Sequence, residues 1–271
     1  MLNHPEESEL ADWLPRIARL SEAAGQAILQ IYQQEQVQVS VKADQSPLTE
    51  ADLASHHLIL RGLKDLTPGI PVLSEESGGI PYTERQHWQR FWLVDPLDGT
   101  QEFIQRNGQF TVNIALVEEG IPILGVVHAP VLALTYTAAQ KLGAYKGETR
   151  IRTCTYPDGS LKVVASRSHA NPETEQFLSR LQTRYGPLEV SSLGSSLKFC
   201  LVAEGSAHLY PRFGPTMEWD TAAAQCVVEQ AGGKVTSLGG DPLRYNKPDL
   251  HNPPFVVVAQ DAAQLWQDLV E

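Results

Sequence analysis

The sequence contains few cysteines, and they lack the spacing of a metal or redox motif. Cys154, Cys200 and Cys226 are odd in number and far apart, and no two of them form a Cys-x-x-Cys pair. Disulfide frameworks and cysteine-based zinc sites need even or closely spaced sets of cysteines. We therefore expect reduced, packed thiols in a cytoplasmic protein.

Long apolar runs are also missing. The most apolar stretch, residues 121–139, is interrupted by Pro122, His128 and Pro130, whereas a membrane-spanning helix needs about 20 predominantly apolar residues. The first seven residues are acidic and contain no signal-peptide core. The sequence predicts a cytoplasmic protein without an integral membrane span, and it leaves a loose association with the inner membrane open.

Positive charge is scarce. Lysine and arginine together number 21 against 32 aspartates and glutamates, which gives a net charge of −11. Proteins that bind nucleic acid in general carry a basic surface. The charge balance therefore excludes a general nucleic-acid partner, but it allows a small phosphorylated ligand held by a few local cations.

The composition is that of an ordinary globular protein. Hydrophobic residues make up 42% and charged residues 20% of the 271 positions. This length suits one large domain or two smaller ones, and no internal repeat or low-complexity segment is present. A turn-rich connection at residues 153–160 predicts a division into residues 1–157 and 158–271.

The first half reads as two helices followed by hairpin-connected strands, which predicts helices packed on an antiparallel sheet. Apolar residues recur every three or four positions over residues 8–34, where Pro15 predicts a kink or a late start. The capping-box pattern from Thr49 to Asp52 opens a second helix through about Leu66. Residues 42–47 and 80–90 read as polar connections, and strands are predicted at residues 37–41, 70–73, 91–94, 111–117, 121–129, 132–138 and 143–145.

In the second half strands alternate with helices, which predicts an α/β layer. The predicted strands are residues 161–165, 188–190, 207–211, 235–237 and 255–259. The predicted helices are residues 171–184, 195–204, 220–231 and 261–269.

Two carboxylates lie three positions apart in the central stretch of the chain, residues 91–100. A short apolar strand is expected to end at Pro96, which cannot continue a ladder. Asp95 and Asp98 would then lie on a tight turn, with Gly99 allowing unusual backbone angles and Thr100 capping a helical turn. Carboxylates this close repel unless a cation lies between them, and oxygen ligands suit Mg²⁺. The same residues are also typical of two ordinary turns, Asp-Pro and Asp-Gly. This stretch alone therefore leaves both a metal site and a pair of turns open.

Other acidic residues lie at strand ends and helix starts, each with an ordinary alternative. Glu75 and Glu76 follow a short apolar strand and could belong to a solvated loop. Asp220 could be a helix N-cap, and Asp52 could be the acidic partner of the capping box. The set as a whole points to a site, because acids at such places can converge without strain.

The ordered combination of these motifs resembles the inositol monophosphatase superfamily. The motifs are Asp95-Pro96-Leu97-Asp98-Gly99-Thr100, an upstream Glu75-Glu76-Ser77, and Trp219-Asp220 followed by Ala231-Gly232-Gly233. The resemblance implies a layered α/β/α/β/α sandwich and a lithium-sensitive phosphatase with two or three Mg²⁺ per active site. It also implies that Asp52 and Thr100 activate water and that the metal ligands are Glu75, Asp95, Asp98, Asp220 and the carbonyl of Leu97, with Glu76 only a neighbour.

The substrate-binding motifs differ from those of inositol phosphatases, which carry an acidic residue seven positions before the last metal aspartate. Phe213 occupies that position here, beside Arg212. The chain instead contains Ser166-Arg167-Ser168-His169, Gly194-Ser195-Ser196-Leu197-Lys198, Tyr210-Pro211-Arg212 and Pro215-Thr216-Met217-Glu218-Trp219-Asp220. With these motifs it resembles the 3′(2′),5′-bisphosphate nucleotidases, which convert 3′-phosphoadenosine 5′-phosphate to AMP. This resemblance implies substrate contacts from Ser166, His169, Gly194, Ser195, Lys198 and Arg212, in addition to Glu75, Leu97, Asp98, Gly99, Thr100 and Asp220.

Several alternatives remain at this point. Lys198 could be a solvated helix residue, Arg212 could pair with Glu218, and His169 could cap a loop. The protein could also be an inositol- or sugar-phosphate phosphatase, or a sensor that binds the nucleotide without hydrolysing it. The expected partner is a small bisphosphorylated nucleotide from sulfur assimilation; action on the sulfated nucleotide and a homodimer are both open.

Overall fold

The computed structural model describes residues 5–34, 39–41, 47–155, 160–166 and 171–260. Its helices are α1 (Glu7–Tyr32), α2 (Glu50–Leu66), α3 (Tyr82–Arg85), α4 (Thr100–Ile104), α5 (Pro172–Tyr185), α6 (Leu197–Ala203) and α7 (Glu218–Gln230), with a 3-10 turn at Glu75–Ser77. The strands are β1 (Val39–Val41), β2 (Pro47–Thr49), β3 (Val72–Ser74), β4 (Arg90–Asp98), β5 (Thr111–Glu118), β6 (Ile121–Ala129), β7 (Leu134–Ala139), β8 (Gly143–Lys146), β9 (Thr149–Ile151), β10 (Leu161–Ser166), β11 (Leu188–Leu193), β12 (Leu209–Arg212), β13 (Lys234–Ser237) and β14 (Phe255–Val258).

The two N-terminal helices form for reasons visible in the sequence. One face of α1 is buried through Leu10, Ile17, Ala24 and Ile28, which follow the helical period. Pro15 lies inside α1 without delaying its start, so a late start was the wrong alternative. Helix α2 begins at the predicted capping box.

Seven of the described strands form a mixed sheet in the order β3-β4-β5-β6-β7-β8-β9, in which β3 and β4 are parallel and the other neighbours antiparallel. Strand β4 is buried on both faces. Phe91 and Leu93 join the core between the two large sheets, and Trp92 and Val94 join the core under α1 and α2. A strand covered on both faces reads as a continuous apolar run, as it does here.

Strand β4 does not end at Pro96, as the sequence predicts, but continues to Asp98. Its pairing with β5 shifts register between Asp95 and Asp98 and resumes where Asp98 faces Thr111. Such an irregularity tolerates a proline, which has no N–H to donate, and it re-aims side chains. Gly99, with a φ of 92°, then precedes α4, so Thr100 is the first helical residue and not the cap.

The second sheet completes the layers. Five described strands lie in the order β11-β10-β12-β14-β13, where β10 is parallel to β11 and β12, and β14 is antiparallel to β12 and β13. Helices α6 and α7 pack between the two sheets, α1 and α2 cover the outer face of the first, and α5 packs on the second. The layered α/β/α/β/α sandwich is thereby confirmed.

The remaining differences from the sequence predictions are local. Strand β2 begins at Pro47, at the end of a predicted loop; α3 forms within the predicted polar connection; and β9 was not predicted. Helix α6 begins at Leu197 and not at Ser195, because Ser195 has left-handed backbone angles with a φ of 48°. The predicted helix 261–269 lies outside the described residues, and the division at 157/158 stays a prediction because residues 156–159 are not described either.

No helix among the described residues is long and apolar enough to span a bilayer.

Candidate active site

The predicted acidic residues meet at one cleft between the edges of the two sheets. Asp95 and Asp98 come from the end of β4, and Glu75 follows β3, the parallel neighbour of β4. Asp220 lies in the first turn of α7. The cleft has a volume of about 260 Å³, and its walls include Glu75, Asp95, Leu97, Asp98, Gly99, Thr100, Ser166, Ser195, Lys198, Arg212 and Asp220.

Asp52 combines the capping role with a contact to the cleft. Its Oδ2 accepts hydrogen bonds from the backbone N–H of Thr49 at 2.8 Å and from the Thr49 hydroxyl at 2.6 Å. Its Oδ1 accepts one from the hydroxyl of Thr100 at 3.3 Å. The capping box therefore fixes a buried carboxylate whose second oxygen reaches the side chain that lines the cleft.

The buried Asp95 carboxyl lies among other acids. Its Oδ1 accepts a hydrogen bond from the N–H of Leu97 at 3.0 Å. Burial first, and then the charges of Glu75, Asp98 and Asp220, raise the pKa of Asp95 well above its usual value, and Asp95 is also hydrogen-bonded to Glu75. Two carboxyl groups in hydrogen-bond contact must share a proton, or be separated by a cation.

Asp98 and Asp220 are each anchored to the fold through one carboxylate oxygen. All the hydrogen bonds of Asp98 end on Oδ2, and its Oδ1 makes none among the described residues. Asp220 accepts from the N–H of Met217 through Oδ2 at 2.8 Å, and burial followed by the charge of Asp98 raises the pKa of Asp220 well above its usual value. Each side chain can thus turn an oxygen towards a cation without losing its anchor.

The donor atoms at this site are oxygens, which suit a hard divalent cation. Carboxylates that repel one another at the end of a buried strand, together with the carbonyl of Leu97, match the oxygen ligands that Mg²⁺ prefers. In the described part of the chain, however, no three acidic, histidine or cysteine side chains already converge at coordination distance. The donor chemistry, and not the side-chain positions, carries the metal assignment.

Lys198 and Arg212 line the same cleft as the acidic residues. The Lys198 ammonium group is buried and donates to the carbonyls of Ser195 at 2.6 Å and Leu193 at 3.4 Å. Burial lowers the pKa of Lys198 to about 8. The alternative of a solvated helix residue is therefore wrong for Lys198.

Arg212 does not pair with Glu218, which was the alternative for this residue. Its Nε donates to the carbonyl of Gly214 at 3.2 Å and its Nη2 to that of Pro215 at 2.9 Å. The fully buried Glu218 instead accepts a hydrogen bond from the Lys247 ammonium at 2.6 Å. The guanidinium group consequently stays at the cleft wall.

The segment before α6 is tightly built. The backbone of Ser195 is left-handed, and its hydroxyl is buried without a hydrogen-bond partner among the described residues. Strain and an unsatisfied polar atom at a cleft are typical of a ligand-binding position. Gly194 is buried, and its N–H donates to Gln109 Oε1 at 2.9 Å. The predicted substrate contact of His169 lies outside the described residues.

Sequence reasoning missed several polar residues at this site. Asn113 and Ser196 are buried and hydrogen-bonded to Asp98, and the buried Glu102 lines the cleft. Asn113 could have been found from the sequence, because it is a polar residue within the otherwise apolar strand predicted at residues 111–117. Ser196 adjoins a residue that was selected, but nothing in the local sequence says which hydroxyl faces Asp98.

Comparisons with known proteins agree with one another. A sequence profile of the inositol monophosphatase family matches residues 11–269. The chain is 51% identical over 248 residues to the 3′(2′),5′-bisphosphate nucleotidase CysQ of Escherichia coli (strain K12), covering 90% of this chain and 98% of that protein. The crystal structure of CysQ from Bacteroides thetaiotaomicron is similar with a TM-score of 0.81 and 43% identity, over 91% of this chain and 97% of that one. The inositol monophosphatase of Anabaena superposes with a TM-score of 0.77 at 25% identity, over 96% of each chain.

Proposed function

This chain belongs to the inositol monophosphatase family and acts as a 3′(2′),5′-bisphosphate nucleotidase, and we propose that it releases the 3′-phosphate of 3′-phosphoadenosine 5′-phosphate with the help of Mg²⁺. The observation that carries the proposal is one cleft lined both by carboxylates and by the cations Lys198 and Arg212. A substrate with two phosphates would use both groups: one phosphate would lie at the metal held by the carboxylates, and the other at the cations.

The metal would be held by Glu75, Asp95, Asp98, Asp220 and the carbonyl of Leu97, with two or three Mg²⁺ per site. When bound, Mg²⁺ lowers the pKa of a water molecule and neutralises charge on the phosphate oxygens.

Asp52 and Thr100 would orient and deprotonate the attacking water. The Thr100 hydroxyl already donates to Asp52 Oδ1, which leaves the lone pairs of Oγ1 to accept a hydrogen bond from water. A proton arriving at Thr100 Oγ1 can then pass to the buried carboxylate. This role depends on the capping box, because the box fixes the other oxygen of Asp52.

Lys198 and Arg212 would hold the phosphate that is not cleaved. Lys198 uses two of its three donors on backbone carbonyls, and Arg212 uses Nε and Nη2 in the same way. Donors therefore remain on both side chains. Charge-assisted hydrogen bonds to phosphate are among the strong ones, and burial strengthens them further.

The same proposal places the enzyme in the cytoplasm, with a homodimer as an expectation. The three cysteines among the described residues are unpaired thiols, which suits a reducing compartment.

A phosphate-release panel tests the activity. The substrates are 3′-phosphoadenosine 5′-phosphate, its sulfated form, AMP and inositol 1-phosphate, each with Mg²⁺ and with excess EDTA. We expect Mg²⁺-dependent release that is fastest with a bisphosphorylated nucleotide, and inhibition by lithium. Faster release from inositol phosphate would favour the inositol phosphatase alternative, and tight nucleotide binding without release would indicate a sensor.

Replacing Lys198 tests the second-phosphate site. Lys198→Met keeps the volume of the buried side chain and removes its charge. Because hydrogen bonds to charged groups contribute about 1.5–3 kcal/mol, we expect kcat/KM for the bisphosphorylated nucleotide to fall roughly 10- to 150-fold. Release from a monophosphate should fall much less. Lys234→Met, at an exposed position of β13, is the matched control; an equal loss on both substrates would remove Lys198 from the substrate site.

A further inference from the structure

Four hydrogen-bond donors converge on a single oxygen of Asp98. The N–H and the hydroxyl of Ser196 lie 2.6 and 2.8 Å from Oδ2, and the Asn113 amide and the Thr111 hydroxyl each lie 3.3 Å from it. The other oxygen, Oδ1, makes no hydrogen bond with the described residues. The carboxylate is thus held in one orientation, with Oδ1 left for a ligand.

Ser196 joins parts of the chain that are far apart in sequence. Its hydroxyl accepts a hydrogen bond from Asn113 Nδ2 at 2.9 Å and lies 2.8 Å from both Asp98 Oδ2 and the backbone carbonyl of Asp220. The hydroxyl has one proton, and a carboxylate oxygen is the stronger acceptor of the two. Ser196 is 2% exposed, so water does not compete for this bond.

The segment around Ser196 has anchors that do not involve the Ser196 hydroxyl. Within α6, which is described in full, Ser196 makes no side-chain capping bond although it is the N-cap residue. The segment is anchored independently by Gly194 N–H on Gln109 and by the Lys198 ammonium on two carbonyls. The contacts of the hydroxyl are instead with Asp98, with Asn113 and with the backbone carbonyl of Asp220.

We propose that Ser196 is a positioning residue that orients Asp98 for cation binding, with Asn113 fixing the direction of the Ser196 hydroxyl. The inference rests on the proposed function, because that function makes Asp98 a Mg²⁺ ligand. It assigns a role to two residues that the sequence does not single out. Partners that orient metal ligands typically change metal affinity or activity by about 10- to 100-fold when they are removed.

The test is Mg²⁺ affinity of the substrate-free protein, measured by calorimetry, for wild type and Ser196→Ala. We expect the Kd for Mg²⁺ to rise about 10-fold or more in a protein that remains folded in EDTA. The loss of kcat in Ser196→Ala relative to wild type should be smaller at saturating Mg²⁺ than at low Mg²⁺. Ser191→Ala, at an exposed position of β11, should leave the Kd unchanged. An unchanged Kd in Ser196→Ala overturns the proposal.

Asn113→Ala provides a second route to the same conclusion if Ser196→Ala does not fold. It removes the donor that fixes the hydroxyl and one weaker bond to Asp98, so it should also raise the Kd for Mg²⁺, by a smaller factor. An unchanged Kd in a folded Asn113→Ala contradicts the proposal. If wild type binds Mg²⁺ in a Ser196-dependent way but does not hydrolyse the bisphosphorylated nucleotide, the proposed function fails and the role of Ser196 stands.

Discussion

At the scale of single residues, a substitution of Asp95 is expected to reduce activity without reducing stability. Asp95→Asn keeps the acceptor for the N–H of Leu97 and removes a carboxyl group from an acidic cluster. We expect turnover to fall at least about 100-fold, beyond the range seen for residues that only support ligands, because a metal ligand is lost. Phosphate release at saturating Mg²⁺ measures this loss.

The melting temperature of Asp95→Asn in EDTA should not fall, because the substitution relieves repulsion in the absence of metal. Asp65→Asn, at an exposed position of α2, is the control and should behave as wild type in both measurements. Activity of Asp95→Asn close to that of wild type would remove Asp95 from the metal site.

Glu229, far along α7 from the cleft, should make stability depend on pH. Burial raises the pKa of Glu229 to about 7, against a smaller opposing effect of the hydrogen bond from Gln225 at 2.9 Å. The folded protein therefore holds a proton that the unfolded chain has lost above about pH 4.5, so this contribution to stability falls as pH rises from 4.5 through 7. This difference between the folded and unfolded pKa of Glu229 corresponds to a change of roughly 3 kcal/mol at most in the free energy of unfolding.

Glu229→Gln should remove this pH dependence. We expect the variant to be more stable than wild type at pH 8 and close to it at pH 5, as measured by urea unfolding at both values. The comparison with wild type cancels the titration of other groups. Equal pH profiles for the two proteins would show that Glu229 titrates near its ordinary value when folded.

At the scale of elements, the sequence predicted those segments whose signal is local. The capping box of α2 and the hairpin of β5 and β6 follow from side chains within a few residues of one another. The course of β4 past Pro96 could not be predicted, because it depends on β5 pairing again at Asp98. Strand β2 similarly exists through its pairing with β1, and two strands of three residues carry almost no periodicity.

Strand β6 and helix α7 approach so closely that only glycine fits at position 125. A Cβ on Gly125 would overlap the carbonyl oxygen of Ala223 and lie 2.8 Å from Cβ of Cys226. We expect Gly125→Ala to destabilise the protein by about 1–3 kcal/mol, since neither the strand nor the helix can yield. Urea unfolding measures the change.

The same substitution should also reduce Mg²⁺-dependent activity, because α7 carries Asp220 in its first turn. Gly69→Ala is the matched control, because no atom lies within 4 Å of the added carbon. Stability of Gly125→Ala equal to that of the control would show that β6 and α7 are not in rigid contact.

At the scale of the whole molecule, the active site draws on both sheets, and this limits what sequence can reveal. The acidic residues of the cleft could be singled out because they lie in recognisable motifs that resemble those of a family. Asn113 and Ser196 were not, because their meaning comes from a hydrogen bond across 83 residues. Asn113 and Ser196 come together only when the two sheets pack on their shared hydrophobic core.

Removing Mg²⁺ should lower the stability of the entire protein. A ligand that binds only the folded state stabilises it by about 2.7 kcal/mol at 100 times its Kd, which corresponds to roughly 5–10 °C for a chain of this size. We expect the melting temperature to rise with Mg²⁺ concentration in wild type, and to rise much less in Asp95→Asn. A melting temperature independent of Mg²⁺ in wild type would contradict binding to the folded state.

The bond between Ser196 and Asp98 also bears on the order of events during folding. The two residues are 98 positions apart, so their contact requires both sheets to be present. The contact can stabilise the chain only after the long loop between the two residues has closed. Contacts of this kind are expected to be absent from the folding transition state. Mg²⁺ would then leave the refolding rate almost unchanged and slow unfolding instead. The cation would extend the lifetime of the native protein without helping it to form.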